Sequence, residues 1–129
     1  MATTKDSYRD NPKLKRVGVD YPFTKEQVDE YIKCARDPIY FSKYITIISL
    51  DRGIIPFDMY DFQKDMINTF DKNRFVIVKC PRQVGKTTTT IAYLLWTILF
   101  KDSQTIAVLA NKGQTARDIL GKLQLAYEN

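Results

Sequence analysis

The sequence predicts an α/β fold in which parallel strands with flanking helices form the core. Two apolar runs, at 74–79 and 105–110, have the length and the composition of buried strands. Between them, apolar residues recur at helical spacing from Ile91 to Phe100, and the neighbouring positions are apolar as well. A strand–helix–strand unit this short predicts parallel strands joined by a right-handed crossover. We expect Trp96, inside this helix, to belong to the core.

A smaller, mainly helical subdomain is expected before this core. Thr24 and Gln27 have the spacing of a capping box, which predicts a helix that continues to about Arg36. Asp37 and Pro38 then provide a cap and a first-turn proline, so a second, short helix is expected.

A hairpin and a third helix follow in the predicted order. Residues 45–50 and 54–55 flank the turn residues Asp51–Gly53, which is the pattern of two antiparallel strands. Asp58 is the predicted cap of a helix that runs from about Met59 to Phe70. The predicted organisation is a polar arm at 1–20, a helical and hairpin subdomain at 21–60, and the first part of the α/β domain at 61–129.

Charge and composition favour a partner that carries negative charge. Twenty basic residues against fifteen acidic ones give a formal net charge of +5. The segment from Lys72 to Lys86 contains five basic residues and no acidic one, which favours phosphate binding. The two cysteines and the lack of histidine exclude a cysteine–histidine metal site. The polar start of the chain and the short apolar runs favour a cytosolic protein.

The segment Lys79–Thr88 has the layout of a phosphate-binding P-loop: a strand, a tight loop with Gly-Lys-Thr, and a helix. Gly85 leaves room for backbone N–H groups to surround a phosphate, and the helix N-terminus adds further donors. Lys86 supplies a positive charge for the β- and γ-phosphates. The Thr87 hydroxyl suits Mg²⁺, which takes few protein ligands. The pattern therefore predicts a site for ATP and Mg²⁺.

Two features of this loop leave alternatives open. Cys80 occupies the position of the usual first glycine, so a helix that begins with Gly-Lys-Thr and binds no ligand remains an alternative. Arg82 is either a group that stabilises charge on the γ-phosphate or an ordinary surface arginine or salt-bridge partner. The predicted nucleotide contacts in the loop are Cys80, Pro81, Arg82, Gln83, Val84, Gly85, Lys86, Thr87 and Thr88.

Gln63 lies about twenty residues before the loop, at a spacing at which several P-loop motors place a glutamine that reads adenine. Its amide can donate to a ring nitrogen and accept from the exocyclic amine. From spacing alone, a glutamine on the helix surface is the alternative. Further on, residues 111–115 follow the second predicted strand, and we expect them to face the nucleotide or a second substrate.

Three stretches together resemble the large terminase subunit of tailed bacteriophages, most closely the myovirus type, over residues 11 to 129. The resemblance implies a RecA-like ATPase domain, followed in the family by a nuclease domain, in a motor that pumps DNA into a capsid. It also implies an adenine reader at Gln63, an arginine finger in cis at Arg82, a phosphate ligand at Lys86 and a Mg²⁺ ligand at Thr87. The three stretches are Phe62-Gln63, Arg82-Gln83-Val84-Gly85-Lys86-Thr87-Thr88 and Val108-Leu109-Ala110-Asn111-Lys112-Gly113.

The partners that this resemblance implies are double-stranded DNA, the phage portal protein and the small terminase subunit, in a homo-oligomeric ring in the host cytoplasm. The family's Walker B aspartate and catalytic glutamate have no counterpart after residue 110, so an N-terminal fragment is expected. Two other functions remain open. One is a fragment of a P-loop helicase or other nucleic-acid translocase, and the other is a non-catalytic module that binds nucleotide or DNA.

Overall fold

A computed structural model describes residues 6–49 and 51–129 of the chain. The described elements are five helices, two short antiparallel hairpins and a 3₁₀ turn at Ser42–Tyr44. In chain order the helices and strands are β1 (Ser7–Tyr8), β2 (Asn11–Lys15), α1 (Lys25–Arg36), α2 (Pro38–Phe41), β3 (Thr46–Ser49), β4 (Gly53–Pro56), α3 (Asp61–Lys72), α4 (Lys86–Phe100) and α5 (Gly113–Glu128).

The predicted core of parallel strands, and with it the partial RecA-like fold, is wrong. Within the described ranges, the strands form two separate two-stranded sheets, β1–β2 and β3–β4, and both are antiparallel. Residues 74–79 and 105–110 form no strand, and Ile77 and Leu109 are 98% and 88% exposed. The physical reason is that apolar composition favours an extended backbone but a sheet also needs a partner strand. Neither segment has such a partner here.

Helix α4 lies at the centre of the hydrophobic core instead. Its side chains Ile91, Ala92, Leu95 and Trp96 are buried, and the core cluster that they join includes residues from α1, α2, α3 and α5. The Trp96 indole N–H donates a hydrogen bond of 2.8 Å to the carbonyl oxygen of Cys34 in α1. The prediction that Trp96 belongs to the core is confirmed. None of the described helices is long and apolar enough to cross a membrane.

The first two helices begin where their capping residues predict. Thr24 and Gln27 form the reciprocal capping box. The Thr24 N–H donates to the Gln27 side-chain oxygen at 3.0 Å, and the Gln27 N–H donates to the Thr24 hydroxyl oxygen at 3.3 Å. The Asp37 carboxylate accepts from the N–H of Ile39 at 2.8 Å and caps α2. These signals predict the element boundaries well because both partners lie within three residues of each other.

The predicted hairpin is confirmed for its described residues. Thr46 pairs with Pro56 and Ser49 with Gly53, in an unbroken antiparallel register. Pro56 is the last residue of β4, so its missing N–H does not interrupt the ladder. Leu50, which the prediction placed at the end of the first strand, lies outside the described residues.

Helix α3 begins later than predicted, and Asp58 is not its cap. The cap position is Tyr60, whose backbone N–H donates to the side-chain oxygen of Gln63 at 2.8 Å. The segment before this helix is not helical, and its side chains Phe57 and Met59 are buried. The helix begins at Asp61. The Gln63 side chain thus accepts from the N–H of the cap residue, and Asp58 takes no part in this helix start.

The described part of the predicted polar arm, residues 6–20, contains a hairpin that docks on α5. The Asn11 side-chain amide donates to the carbonyl oxygen of Glu128 at 3.0 Å, and the Lys13 ammonium donates to that of Asn129 at 3.1 Å. Nothing in the sequence pattern predicts this contact, because its two partners are more than a hundred residues apart in the chain. Residues 1–5 of the arm lie outside the described ranges.

Candidate functional site

The loop before α4 turns through two residues in the left-handed backbone region. Gln83 has φ 61°, and Gly85, the N-cap residue of α4, has φ 77° and ψ 19°. A Cβ atom added at Gly85 would lie 2.6 Å from the side-chain nitrogen of Gln63. Gly85 is therefore required both for its backbone conformation and for the close approach of Gln63.

The first turn of α4 presents backbone donors that the chain leaves free. The first N–H group of the helix with an acceptor is that of Thr89, which donates to the carbonyl oxygen of Gly85 at 2.9 Å. Across the described chain, the N–H groups of Lys86, Thr87 and Thr88 have no acceptor, and no side chain caps this end. Free N–H groups and the positive end of the helix dipole both favour an anion here.

Lys86, the first residue of α4, folds back over the loop. Its ammonium group donates to the carbonyl oxygen of Pro81 at 3.4 Å, which is long for a hydrogen bond. Within the described residues it has no carboxylate partner. Lys86 and Thr87 line a cavity of about 430 Å³ whose other walls are Thr90 and apolar side chains, among them Val78 and Ile106. The lysine charge is therefore held beside the loop without a strong partner of its own.

The other basic residues near the loop are uncompensated as well. None of the five between positions 72 and 86 forms an ion pair with the described acids. Arg74 lies over the ring of Phe75 at 5.1 Å, and Arg82 and Lys79 are exposed. The five basic residues between positions 72 and 86 therefore carry positive charge that no described carboxylate neutralises through an ion pair.

Gln63 is buried against the loop, with 3% of its surface exposed. Its side-chain oxygen accepts from the N–H of Tyr60, and its side-chain nitrogen donates to the carbonyl oxygen of Val84 at 3.4 Å. The alternative of a glutamine on the helix surface is therefore wrong. One N–H and one oxygen lone pair of the amide remain unused, so the group keeps the capacity to bind a second partner. Its role as an adenine reader stays a prediction.

A second cavity, of about 650 Å³, lies on the side of the loop where Gln63 contacts it. Its volume is in the range of small-molecule sites, and its walls combine apolar and aromatic side chains with a few polar groups. We call it the nucleoside cavity, after the part of a nucleotide that we propose for it. The loop and α4 contribute Gln83, Val84, Gly85 and Thr88, and the facing side contributes Ile47, Arg52, Ile55, Pro56, Phe57, Asp58, Met59, Tyr60, Phe62 and Gln63.

The structure brings together only part of the predicted site. Gln63, Gln83, Val84, Gly85 and Thr88 share the nucleoside cavity, while Lys86 and Thr87 line the cavity on the other side of the helix start. Cys80 and Pro81 line a third cavity, of about 400 Å³, with Phe62 and Val84. Arg82 and residues 111–115 line none of these three cavities.

The prediction from sequence did not include the residues on the facing side of this cavity other than Gln63, among them Arg52 and Tyr60. The charge of Arg52 and the aromatic ring of Tyr60 are visible in the sequence. Their place beside the loop is not, because it depends on contacts between segments that are distant in the chain. Gln63 contacts Val84, 21 positions later, so the glutamine does lie beside the loop.

The Mg²⁺ prediction depends on Thr87 and on groups that a nucleotide would bring. The described residues contain no group of three or more histidine, cysteine, aspartate or glutamate side chains suited to a metal ion. A half-buried threonine hydroxyl at the start of a helix fits Mg²⁺ when phosphate oxygens and water supply the remaining ligands.

The chain was compared with models of known protein families, and no family model matches it.

Proposed function

We propose that this chain binds MgATP at the loop Lys79–Thr88. The observation that carries the proposal is the set of three free backbone N–H groups, at Lys86, Thr87 and Thr88, that follow the left-handed Gly85. These donors point to an acceptor that the chain does not supply, and the uncompensated basic residues around them favour an acceptor with negative charge. A polyphosphate satisfies both conditions.

In this proposal Lys86, Thr87 and Gln63 each have a defined task. The ammonium group of Lys86 leaves the carbonyl of Pro81 and binds the β- and γ-phosphates, since 3.4 Å marks a weak bond that is easily exchanged. The Thr87 hydroxyl binds Mg²⁺, which neutralises charge on the phosphates. Gln63 donates or accepts at the edge of adenine with the capacity that its two backbone bonds leave unused.

The larger assembly is proposed from the resemblance to large terminase subunits, and its support is the three sequence stretches. We infer that the chain supplies nucleotide binding to a motor that packages double-stranded DNA. The motor would act as a homo-oligomeric ring in the cytoplasm of the host cell, together with a portal protein and a small terminase subunit. A helicase or another nucleic-acid translocase that shares the loop is the second candidate.

A non-catalytic binding module is favoured for the isolated chain by the positions of its carboxylates. Downstream of the loop the acids are Asp102, Asp118 and Glu128. Asp118 accepts from Gln114, and Glu128 accepts from Gln124, each at 2.8 Å within α5. Asp102 lies in the turn after α4, at the end of the helix opposite the loop. Water attack on the γ-phosphate needs a positioned group, so we expect nucleotide binding without turnover at the rate of a motor.

Calorimetric titration of MgATP into the chain and into Lys86→Ala tests the binding site. We expect Lys86→Ala to abolish binding, and Lys86→Arg to fail as well because a planar guanidinium does not replace a compact ammonium in a tight loop. Lys25→Ala is the matched control, since Lys25 is the first residue of α1 as Lys86 is of α4. An unchanged affinity in Lys86→Ala would show that the loop is not the nucleotide site.

A further inference from the structure

The nucleoside cavity contains an arginine that the chain does not use for its own stability. Arg52 lies in the turn of the hairpin β3–β4 and lines the cavity opposite Gln83, Gly85 and Thr88. Within the described parts of the chain its guanidinium group forms no hydrogen bond, ion pair or contact with an aromatic ring. Asp58, the acidic residue of the same cavity, does not pair with it. The guanidinium group is therefore free to bind a ligand.

The position of the cavity suits the nucleoside part of a nucleotide. It includes Gly85, which precedes the free N–H groups that would hold the phosphates, and Thr88, which carries one of them. The nucleoside part of a nucleotide bound there can extend into either of two cavities. The cavity lined by Lys86 and Thr87 offers mainly aliphatic walls with the hydroxyl of Thr90, whereas the nucleoside cavity offers aromatic and apolar walls together with amide groups. A base with polar edges and apolar faces is better matched by the nucleoside cavity.

The walls of the cavity also suit a flat ligand. The rings of Tyr60 and Phe62 are stacked at 5.9 Å, with 10° between their planes, at one side of the cavity. A guanidinium group is planar and weakly hydrated and lies flat on aromatic faces, whereas a lysine ammonium contacts them as a compact point charge. An arginine at the rim of such a cavity therefore fits a contact with the face of a base.

We propose that Arg52 is a nucleotide-binding residue whose guanidinium group covers the face of a purine base in the nucleoside cavity. This inference rests on the proposed binding of MgATP, and it adds a residue from the hairpin to the site. It also gives the hairpin a function, because β3 and β4 hold Arg52 in place opposite the loop. The phosphates are bound by the loop alone, without a contribution from Arg52.

The test compares MgATP with magnesium tripolyphosphate, which has the phosphates but neither base nor ribose. Both are titrated into the chain and into Arg52→Ala, Arg52→Lys and Arg36→Ala. Arg36, at the end of α1, is the control for the loss of one exposed arginine. Stacking on a base is worth enough for Arg52→Ala to weaken MgATP binding by about tenfold. Tripolyphosphate should bind equally to all four proteins, and Arg52→Lys should resemble Arg52→Ala.

Each other outcome overturns a defined part of the proposal. Equal affinity of Arg52→Ala and the unchanged chain for MgATP, together with loss of binding in Lys86→Ala, removes Arg52 from the site and leaves the proposed function intact. Equal weakening of MgATP and tripolyphosphate makes Arg52 a phosphate ligand. Full recovery in Arg52→Lys makes the contact one of charge alone. If the unchanged chain binds no nucleotide, the proposed function and the role of Arg52 both fail.

Discussion

The two ends of α4 differ in how the chain treats their polar groups. At the C-terminal end the Trp96 indole N–H donates to the Cys34 carbonyl in a packed core, and no buried side-chain polar atom of the described residues lacks a partner. At the N-terminal end three backbone N–H groups have no acceptor among the described residues, and the Lys86 ammonium has no carboxylate partner there. The bond of Trp96 stabilises the fold, whereas the free donors are available to a ligand. Changes at the two ends should therefore affect different properties.

The largest effect is expected for Arg82→Ala in the packaging motor that we propose to contain this chain. As an arginine finger, Arg82 would act on charge that develops in the transition state, so turnover should fall by roughly 10³–10⁵ while nucleotide affinity stays nearly unchanged. Steady-state ATP hydrolysis and calorimetry measure the two quantities separately. Arg74→Ala is the control, because Arg74 is basic and near the loop but contacts only the ring of Phe75. Equal losses in binding and turnover would make Arg82 a ground-state phosphate ligand.

At the opposite end of α4, Trp96→Phe should lower the stability of the fold. The change removes the donor for the buried carbonyl of Cys34 and leaves space in the core, at a cost of about 1–3 kcal/mol in the free energy of unfolding. Urea denaturation measures this loss. The affinity of the folded protein for MgATP should not change. Tyr93→Phe is the control, because its hydroxyl is at the edge of the core, 3.5 Å from Asp71. A Trp96→Phe variant as stable as the unchanged chain would contradict the role of this bond.

A smaller effect, on the pH dependence of stability, is expected for Glu30→Gln. The ammonium group of Lys43 and the hydroxyls of Tyr44 and Tyr40 donate to the Glu30 carboxylate and lower its pKa from 4.5 to about 2. Because the folded-state pKa is lower, this stabilisation is complete above pH 4.5 and is lost as the pH falls towards 2.

Urea denaturation at a series of pH values between 2 and 6 measures this contribution. The free energy of unfolding of the unchanged chain should fall more steeply with acid than that of Glu30→Gln. Asp29→Asn is the control for the removal of one carboxylate from the same helix. Parallel profiles for the unchanged chain and Glu30→Gln would contradict the prediction. Nucleotide binding at neutral pH should be the same in both, since this cluster is not part of the loop.

Parts of the fold were predictable because their causes are local. The capping box of α1, the cap at Asp37 and the hairpin β3–β4 each depend on partners a few residues apart. The prediction of a parallel core was wrong, because residues 74–79 and 105–110 have strand composition without a partner strand in the described chain. For the candidate site, the motif indicates the glycine conformation and the free N–H groups of the loop. The position of Arg52 depends on distant packing that composition does not encode.

Hydrogen–deuterium exchange with and without MgATP tests the central claim most directly. The claim is that the free N–H groups of Lys86, Thr87 and Thr88 bind phosphate. We expect MgATP to slow exchange at these three amides and at the preceding loop, while exchange in α4 around Trp96 changes little, because those amides are already bonded. Lys86→Ala should show no such protection. If saturating MgATP leaves the three amides unprotected, or protects the whole chain uniformly, the free donors of this loop are not the phosphate site.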